Sequence, residues 1–506
     1  MSTNSELTAP GAPRLVLDES ARRHAGALTG GSPRRVLRMT PAGWQVLRAL
    51  QHGSDDSAAA QALRRRLLDA GLAHPRPGYR EAPDVTIVVP ARDRSADLER
   101  CLAALDARPP GVKLLVVDDG SRDREALAAT AAAHGARIVR RERSGGPAAA
   151  RNAALHHVTS ELVAFLDSDC APAPDWLQRL AGHFDDPLVG AVAPRVRPVA
   201  APTPVAAPTP VAAPTPAAAP TPAAAPAARS ALARYLAARS PLDMGSREAG
   251  VTPGGPVSYV PTAALVVRRS ALAGGFDARL RYGEDVDLVW RLRDAGWRVR
   301  YDPSVVVAHR EPQALAHVLA RRFRYGTAAA PLHRRHPGRL LPAVLAPWPA
   351  LVVALVLARR PAIAAVLASQ QSAALARRVA RLGLPPSWGI RWFADAIEAA
   401  IVSIGRYLAT FALPLTVAVA WRRRRPAALA LLVAPALQER RRRGGELDPL
   451  RWVALALADD FAYGAGVWWG AIRARTAAPL IPRGPKPGAG TRIRSSARRR
   501  WAARDR

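Results

Sequence analysis

From residue 84 onward the chain alternates short uninterrupted apolar runs with longer segments whose apolar residues recur every three or four positions. DVTIVVPARDRSADLERCLAAL reads as a strand, a loop and a helix, and VKLLVVDDGS as a second strand closed by two carboxylates. ARIVRRE is a third short strand, GGPAAARNAALHHV a loop entering a helix, and ELVAFLDSD a fourth strand. Strands alternating with helices at this spacing predict an α/β fold: a mainly parallel sheet with helices on both faces and right-handed crossovers. Ligands of such sheets collect beyond the carboxyl ends of the strands, and the polar residues of this block fall there. A later helix is expected from Glu284 and Asp285 to about Asp294, stopped by Gly296, with Leu288, Val289 and Leu292 on its apolar face.

Around this block the pattern divides the chain further. Residues 1–32 are small and polar and read as a flexible lead. Residues 33–80 form a separate module: a strand from Val36 to Met39, a Thr40 cap with Pro41 at the first helical position, apolar residues at Val46, Leu47 and Leu50, and a second helix. This winged-helix-like unit resembles the peptide-binding chaperone domain of pathways that modify ribosomally made peptides; a packing adaptor for the next domain is the alternative. The main domain, residues 84–325, is interrupted at 199–228 by repeats of AAPTPV and AAPTPA. Ala, Thr and Pro alone cannot build a core, so an extended spacer leaving and rejoining the sheet at a surface loop is expected.

Residues 326–480 hold apolar stretches between arginine clusters: Leu340 to Ala358, Tyr407 to Trp421, Pro426 to Leu437, and Trp452 to Ile472 with Asp459 and Asp460 at its centre. A spanning helix needs about 20 apolar residues with few charges, and none of the four meets this cleanly. Interfacial or re-entrant helices, with RRRR at 422–425 and at 440–443 facing anionic lipid, are the expectation; a helical accessory domain with a basic surface is the alternative. Residues 481–506 read as a basic disordered tail. The start of the chain lacks the apolar core of a signal peptide, so the expected location is the cytoplasmic face of the cell membrane, with the catalytic domain in the cytosol.

Charge sharpens this division. The 506 residues carry 73 basic and 40 acidic side chains, a formal +33, with only Lys113 and Lys486 as lysines. Residues 321–506 hold 33 of the basic and 8 of the acidic residues, so the front of the chain is only mildly basic. No aromatic-interleaved basic motif accompanies the excess, and no nucleic acid partner is expected. The sequence contains no GxxxxGK loop and no HExxH, and its two cysteines, Cys101 and Cys170, cannot form a disulfide framework or a four-ligand zinc site.

The chemistry-bearing residues lie at strand ends. Asp167 and Asp169 follow an apolar strand directly and can share a hard divalent cation, Mn²⁺ or Mg²⁺, completed by substrate phosphates. Asp93 and Asp119 end the first two strands, where a carboxylate can accept the imide N–H of a pyrimidine or cap a helix. Arg151, with the glycines of SGGPAAARN, suits a nucleotide pyrophosphate. Glu284 and Asp285 open a helix whose dipole favours the ionised carboxylate, which suits a general base. His309, after a β-branched strand, is a candidate third metal ligand, with a structural histidine as the alternative.

VVPARD, VVDDGS, GGPAAARN, FLDSD and GGFD…GEDVDLVWRLRDAGW occur here in the order and spacing found in family 2 glycosyltransferases. Residues 84–310 resemble that family, and with the front module and the arginine-rich rear the chain resembles the glycosyltransferases of the mycofactocin pathway. The resemblance implies a GT-A fold and an inverting transfer of a hexose, glucose from UDP-glucose, to a small peptide-derived acceptor. By position it implies Pro90, Arg92, Asp93, Asp119, Arg151 and Asp167 on the nucleotide sugar, Asp167, Asp169 and His309 at a metal, and Asp285 with Glu284 in catalysis. Thr262, Arg324 and Tyr325 are the candidate acceptor wall. The QxxRW motif of processive members is absent, and Arg321-Arg322-Phe323-Arg324-Tyr325 stands in its neighbourhood. A lipid or polyisoprenyl phosphate acceptor, an inactive membrane scaffold and a nucleic-acid-binding protein are the competing readings.

Overall fold

A computed structural model describes residues 14–24, 26–31, 34–199, 230–422 and 426–482. The proline-rich interruption apart from residue 199, residues 1–13 of the lead and residues 483–506 of the tail lie outside these.

The four strands anticipated after residue 84 form, as Val85–Ala91, Lys113–Asp118, Arg137–Arg140 and Leu162–Leu166, and pair in parallel. Their apolar runs are uninterrupted because both faces are covered: Ile87 and Val89 face one core cluster and Val88 the other, and all three are fully buried. The whole sheet has nine strands and is mixed, with four parallel and four antiparallel pairings, where a mainly parallel sheet was expected. The reason lies in how the chain returns. Strand Ala264–Arg268 enters beside Leu166, at the carboxyl end of its neighbour, so it must run antiparallel to it. Thr262 and Ala263 are thereby drawn alongside Asp167, whose N–H donates to Ala263 O at 3.0 Å.

At the front, residues 14–30 are not a flexible lead. Arg14–Leu17 pairs antiparallel with Ala73–Arg76, and Arg22–His24, Ala27–Gly30 and Arg35–Arg38 make a three-stranded sheet. Leu15 and Leu28 are buried among Leu47, Leu50 and Leu67, an apolar alternation masked by the arginines and glycines between them. Helix Pro41–His52 begins as its sequence dictates, with Thr40 Oγ1 accepting from Gly43 N at 3.0 Å. Ala58–Asp69 is the second helix.

The rear is built mainly of helices, among them two long ones, Pro361–Ala380 and Pro386–Phe411, that the apolar stretches do not announce. Among the described residues no single helix is long and apolar enough to cross a membrane; Pro386–Phe411 and Leu413–Arg422, bent by 104°, pass that test only as a pair. Two of the features offered to lipid have protein partners instead. In helix Pro449–Arg473, Asp459 and Asp460 bind Arg239 at 2.7 Å each, and Asp459 binds Arg322 at 2.6 Å. At 440–443, Arg440 donates to Leu447 O, Arg442 meets Glu398 and Arg443 meets Glu439. Helix Leu315–Thr327 crosses Pro449–Arg473 so closely that a Cβ on Gly466 would lie 2.0 Å from Phe323 O.

Candidate active site

The loops after the first two strands are cross-braced. Asp93, at φ 52°, receives a hydrogen bond from Arg122 N at 2.8 Å, and its own N–H donates to Ser121 Oγ at 3.0 Å. Pro90 is the penultimate residue of its strand, and Arg92 Nη1 donates to Ser144 Oγ at 2.9 Å. Asp119, 5% exposed, accepts from Arg141, from Ser144 Oγ at 2.7 Å and from the N–H groups of Gly145 and Gly146 at 3.1 and 2.8 Å. Both its oxygens are engaged, so it gathers the glycine loop onto the strand ends. It does not cap the next helix; Asp123 does, accepting from Ala126 N at 2.9 Å.

Arg151 departs from its expected place on a pyrophosphate. It rises from helix Pro147–Leu155 into the protein, 2% exposed, and donates to Asp167 Oδ1 at 2.7 Å and Glu284 Oε1 at 3.0 Å, with Phe276 beneath it at 5.5 Å. A guanidinium so buried and so engaged binds carboxylates, not ligand. It joins the end of the fourth strand to the start of helix Glu284–Asp294. That helix begins after Gly283, at φ 79°, where a Cβ would come 2.8 Å from Leu332 Cδ1. Asp285 accepts from Val286 N at 2.7 Å, and burial followed by the neighbouring Glu284 carboxylate raises its pKa to about 7. The helix dipole, which the sequence reading expects to favour the ion, is outweighed. The outcome still suits a base working near neutral pH.

Asp169 lies across from this pair. Its Oδ1 stands 3.5 Å from His309 Nε2, and its Oδ2 lies 3.3 Å from Arg94 Nη1. Burial holds its pKa above the usual carboxylate range despite His309. Burial alone would lower the His309 pKa, but Glu311 and Asp169 reverse this and hold it above the ordinary value. Glu311 is in turn bound by Arg321 and by Ser240 Oγ at 2.5 Å. Among the described residues no three His, Cys, Asp or Glu side chains converge as a metal-binding group, so Asp167, Asp169 and His309 do not form a closed ligand set. Asp167 is turned to Arg151, and His309 is at ion-pair distance from Asp169. One or two carboxylates at a partly open edge fit a hard divalent cation whose remaining positions go to water and substrate phosphates.

The surroundings of Asp285 toward helix Leu315–Thr327 are aromatic. The Tyr325 ring lies 6.4 Å from that of Tyr282, and the negative charge of Asp285 adds to the burial that raises the pKa values of the Tyr259 and Tyr325 phenols, Tyr325 to about 12. Two expected wall residues fall elsewhere: Thr262 is 2% exposed beneath the site, and Arg324 faces solvent. Tyr259, Tyr282, Arg94 and Glu311 were not foreseen, since only the fold brings them here. Asp287 is fully buried and binds Arg291, Arg335 and His336 at 2.7–2.8 Å, fixing the helix of Asp285 to helix Ala329–Arg335.

A profile described as Glycosyl transferase family 2 matches residues 86–210. Along 475 residues, 90% of this chain and 94% of the other, the chain is 37% identical to a Mycobacterium tuberculosis protein named pre-mycofactocin glycosyltransferase. An N-acetylglucosaminyltransferase of Rhizobium meliloti is 27% identical over 262 residues, 49% of this chain and 55% of that one. A solved mannosyltransferase of Pyrobaculum calidifontis, in complex with GDP-Man and Mn²⁺, aligns over 76% of this chain and 89% of its own with a TM-score of 0.39 and 21% identity. With identity of this order sustained over nine-tenths of both sequences, the chain belongs to the pre-mycofactocin glycosyltransferases, with a family 2 glycosyltransferase domain.

Proposed function

We propose that this glycosyltransferase moves a hexose, glucose from UDP-glucose, to a hydroxyl of the peptide-derived mycofactocin precursor, with inversion at the anomeric carbon. The observation that carries the reading is Asp285, at a helix start among tyrosines, with a pKa of about 7 and the Arg151-bound Glu284 and Asp167 beside it. Asp285 takes the proton of the acceptor hydroxyl, that oxygen bonds to the anomeric carbon, and the bond from that carbon to the diphosphate oxygen breaks. Asp169, with Asp167, would hold a Mn²⁺ or Mg²⁺ ion, whose positive charge stabilises a departing diphosphate. Asp93 and the Asp119-braced loop form the nucleotide side, and Tyr259, Tyr282 and Tyr325 the acceptor side.

Incubating the purified chain with Mn²⁺, the precursor and UDP-glucose, UDP-N-acetylglucosamine or GDP-mannose in turn, then measuring acceptor mass, tests the reading. A gain of one hexose from UDP-glucose alone supports it. Gain only with another donor, or only with a polyisoprenyl phosphate acceptor, replaces it.

Membrane association is a second reading, favoured by large apolar residues at the rear surface. Trp421 is 83% exposed, Leu450 81% and Leu415 67%. Attachment to the cytoplasmic face through anionic lipid follows from these beside the arginines. Flotation with phosphatidylglycerol vesicles but not phosphatidylcholine ones is the expected result; flotation with neither rejects it.

A further inference from the structure

A cavity of about 1240 Å³ lies away from this site, where the front module, the transferase sheet and the end of helix Pro426–Arg443 meet. It reaches the far end of helix Glu284–Asp294, at Arg293 and Asp294, about 13 Å along the helix from Asp285. Eleven arginines and six carboxylates line it. Five of those carboxylates are already matched: Asp18 with His74, Asp69 with Arg298, Asp243 with Arg195, Glu248 with Arg300, and Asp294 with Arg339. Among the described residues Arg35, Arg197, Arg234 and Arg293 have no ion pair, and the Arg234 Nε is buried without a hydrogen-bond partner. Arg300, 4% exposed, also leaves its Nε unpartnered. Burial, with Arg298 nearby, holds the Arg293 and Arg300 guanidiniums below their ordinary pKa. The wall is therefore short of direct negative partners at Arg197, which is exposed, and at the half-buried Arg234 and Arg293, the last of which donates to Trp297 O at 2.9 Å.

The cavity also presents backbone. Gly245, Gly250, Gly254 and Gly255 line it, and strand Ala249–Gly250 pairs with Arg298–Arg310 and with no other strand among the described residues. Its volume exceeds the roughly 300–1,000 Å³ common for small-molecule pockets. We infer that this cavity is a docking site for an acidic peptide segment, held by Arg197, Arg234 and Arg293 through its carboxylates and by the open strand edge through its backbone. The inference is independent of the transfer chemistry.

Fluorescence anisotropy of the full chain with a short labelled peptide alternating aspartate and glycine tests it. Submillimolar binding that the asparagine–glycine counterpart lacks is expected, together with a loss of about tenfold or more in R197E/R234E. The same double variant should gain affinity for a lysine–glycine peptide, a rescue that misfolding cannot produce. Because the tail is also basic, replacing Arg498, Arg499 and Arg500 with alanine should leave aspartate-peptide binding unchanged. The inference fails if the peptide does not bind, if the tail variant abolishes binding, if R197E/R234E binds like the parent chain, or if inorganic pyrophosphate competes as well as the peptide.

Discussion

Arg151 Nη2 donates to Asp167 Oδ1 at 2.7 Å from a guanidinium that is 2% exposed, and its other terminal nitrogen holds Glu284. Two segments separated by more than a hundred residues are thus closed by one buried cation, with three carboxylates around it once Asp285 is included. Replacing Arg151 with alanine leaves those carboxylates facing one another without a counter-charge. A loss of about 3–5 kcal/mol in urea unfolding is expected, with transfer abolished. Arg151→Lys keeps the charge but not the two-pronged geometry, and should recover part of the stability and little of the activity. Parent-like stability of the alanine variant would mean that the bridge does not organise the site.

Asp285 gives a pH prediction with a defined sign. Its folded pKa of about 7 lies above the unfolded carboxylate value of about 3.9. The stability linked to this raised value is fully present below about pH 4 and is lost as pH rises through 7, the opposite of a salt-bridged aspartate. Catalysis runs the other way: only the ionised form accepts a proton, so kcat/KM should climb through pH 7. Asp285→Asn should lower kcat by about 10²–10⁴ while UDP affinity stays near the parent value, and it should flatten the fall in stability between about pH 4 and 7. Turnover retained in this variant would move the base to another group.

The cation reading makes its own prediction. Asp169 is half-buried, its pKa is raised, and among the described residues its ion-pair neighbours are His309 and Arg94. If a divalent ion completes this edge, chelation with EDTA should stop transfer and added Mn²⁺ should restore it. Asp169→Asn should raise the Mn²⁺ concentration needed for half-maximal rate by about tenfold or more, whereas His309→Gln, altering a residue set against Asp169, should raise it by less. Equal shifts in the two variants would restore His309 to the ligand set.

What could be read in the sequence was what local pattern encodes. The strands ending at Ala91, Asp118 and Leu166 are largely apolar because both faces of the sheet are covered, and Gly296 marks the end of the Asp285 helix as expected. Strand Val189–Val199 was not foreseen: Pro194, Arg195 and Arg197 break its apolar run, and its strength comes from pairing with Arg298–Arg310. The site fared likewise. The carboxylates at strand ends were visible, but Arg151 looked like a phosphate ligand because nothing in GGPAAARN reveals that Glu284 will stand beside it. Helix position suggested an ionised Asp285; the burial that decides otherwise comes from side chains far along the chain.

Gly466 tests how closely the rear is fitted to the catalytic domain. A Cβ there would lie 2.0 Å from Phe323 O and 3.1 Å from Gly326 Cα, both backbone atoms of helix Leu315–Thr327 that cannot swing aside. Gly466→Ala must push the two helices apart, with an expected cost of about 1–3 kcal/mol. Gly444→Ala, where nothing stands within 4 Å but φ is 64°, should cost only the smaller backbone penalty of about 1 kcal/mol. Urea unfolding of the pair would separate crowding from backbone preference.

Asp459 links that same interface to the acceptor side. Its carboxylate is 3% exposed and binds Arg322 at 2.6 Å and Arg239 at 2.7 Å; Arg322 precedes Tyr325 by three positions on one helix, and so shares its face. Asp459→Asn leaves two buried guanidiniums with less compensation: Arg239 retains Asp460 and Glu439, whereas Arg322 loses its direct ion pair and keeps only the longer-range attraction of Asp460. Arg322 should then turn toward Asp460, the other carboxylate that attracts it, shifting the Tyr325 turn with it. Stability should fall by about 3 kcal/mol, and KM for the acceptor should rise more than KM for the nucleotide sugar. The double variant Asp459→Asn with Arg322→Gln removes the unmatched charge and should regain stability over the single one. If it does not, the pair contributes by packing rather than by charge, and the rear helices support the acceptor wall only as a rigid backing.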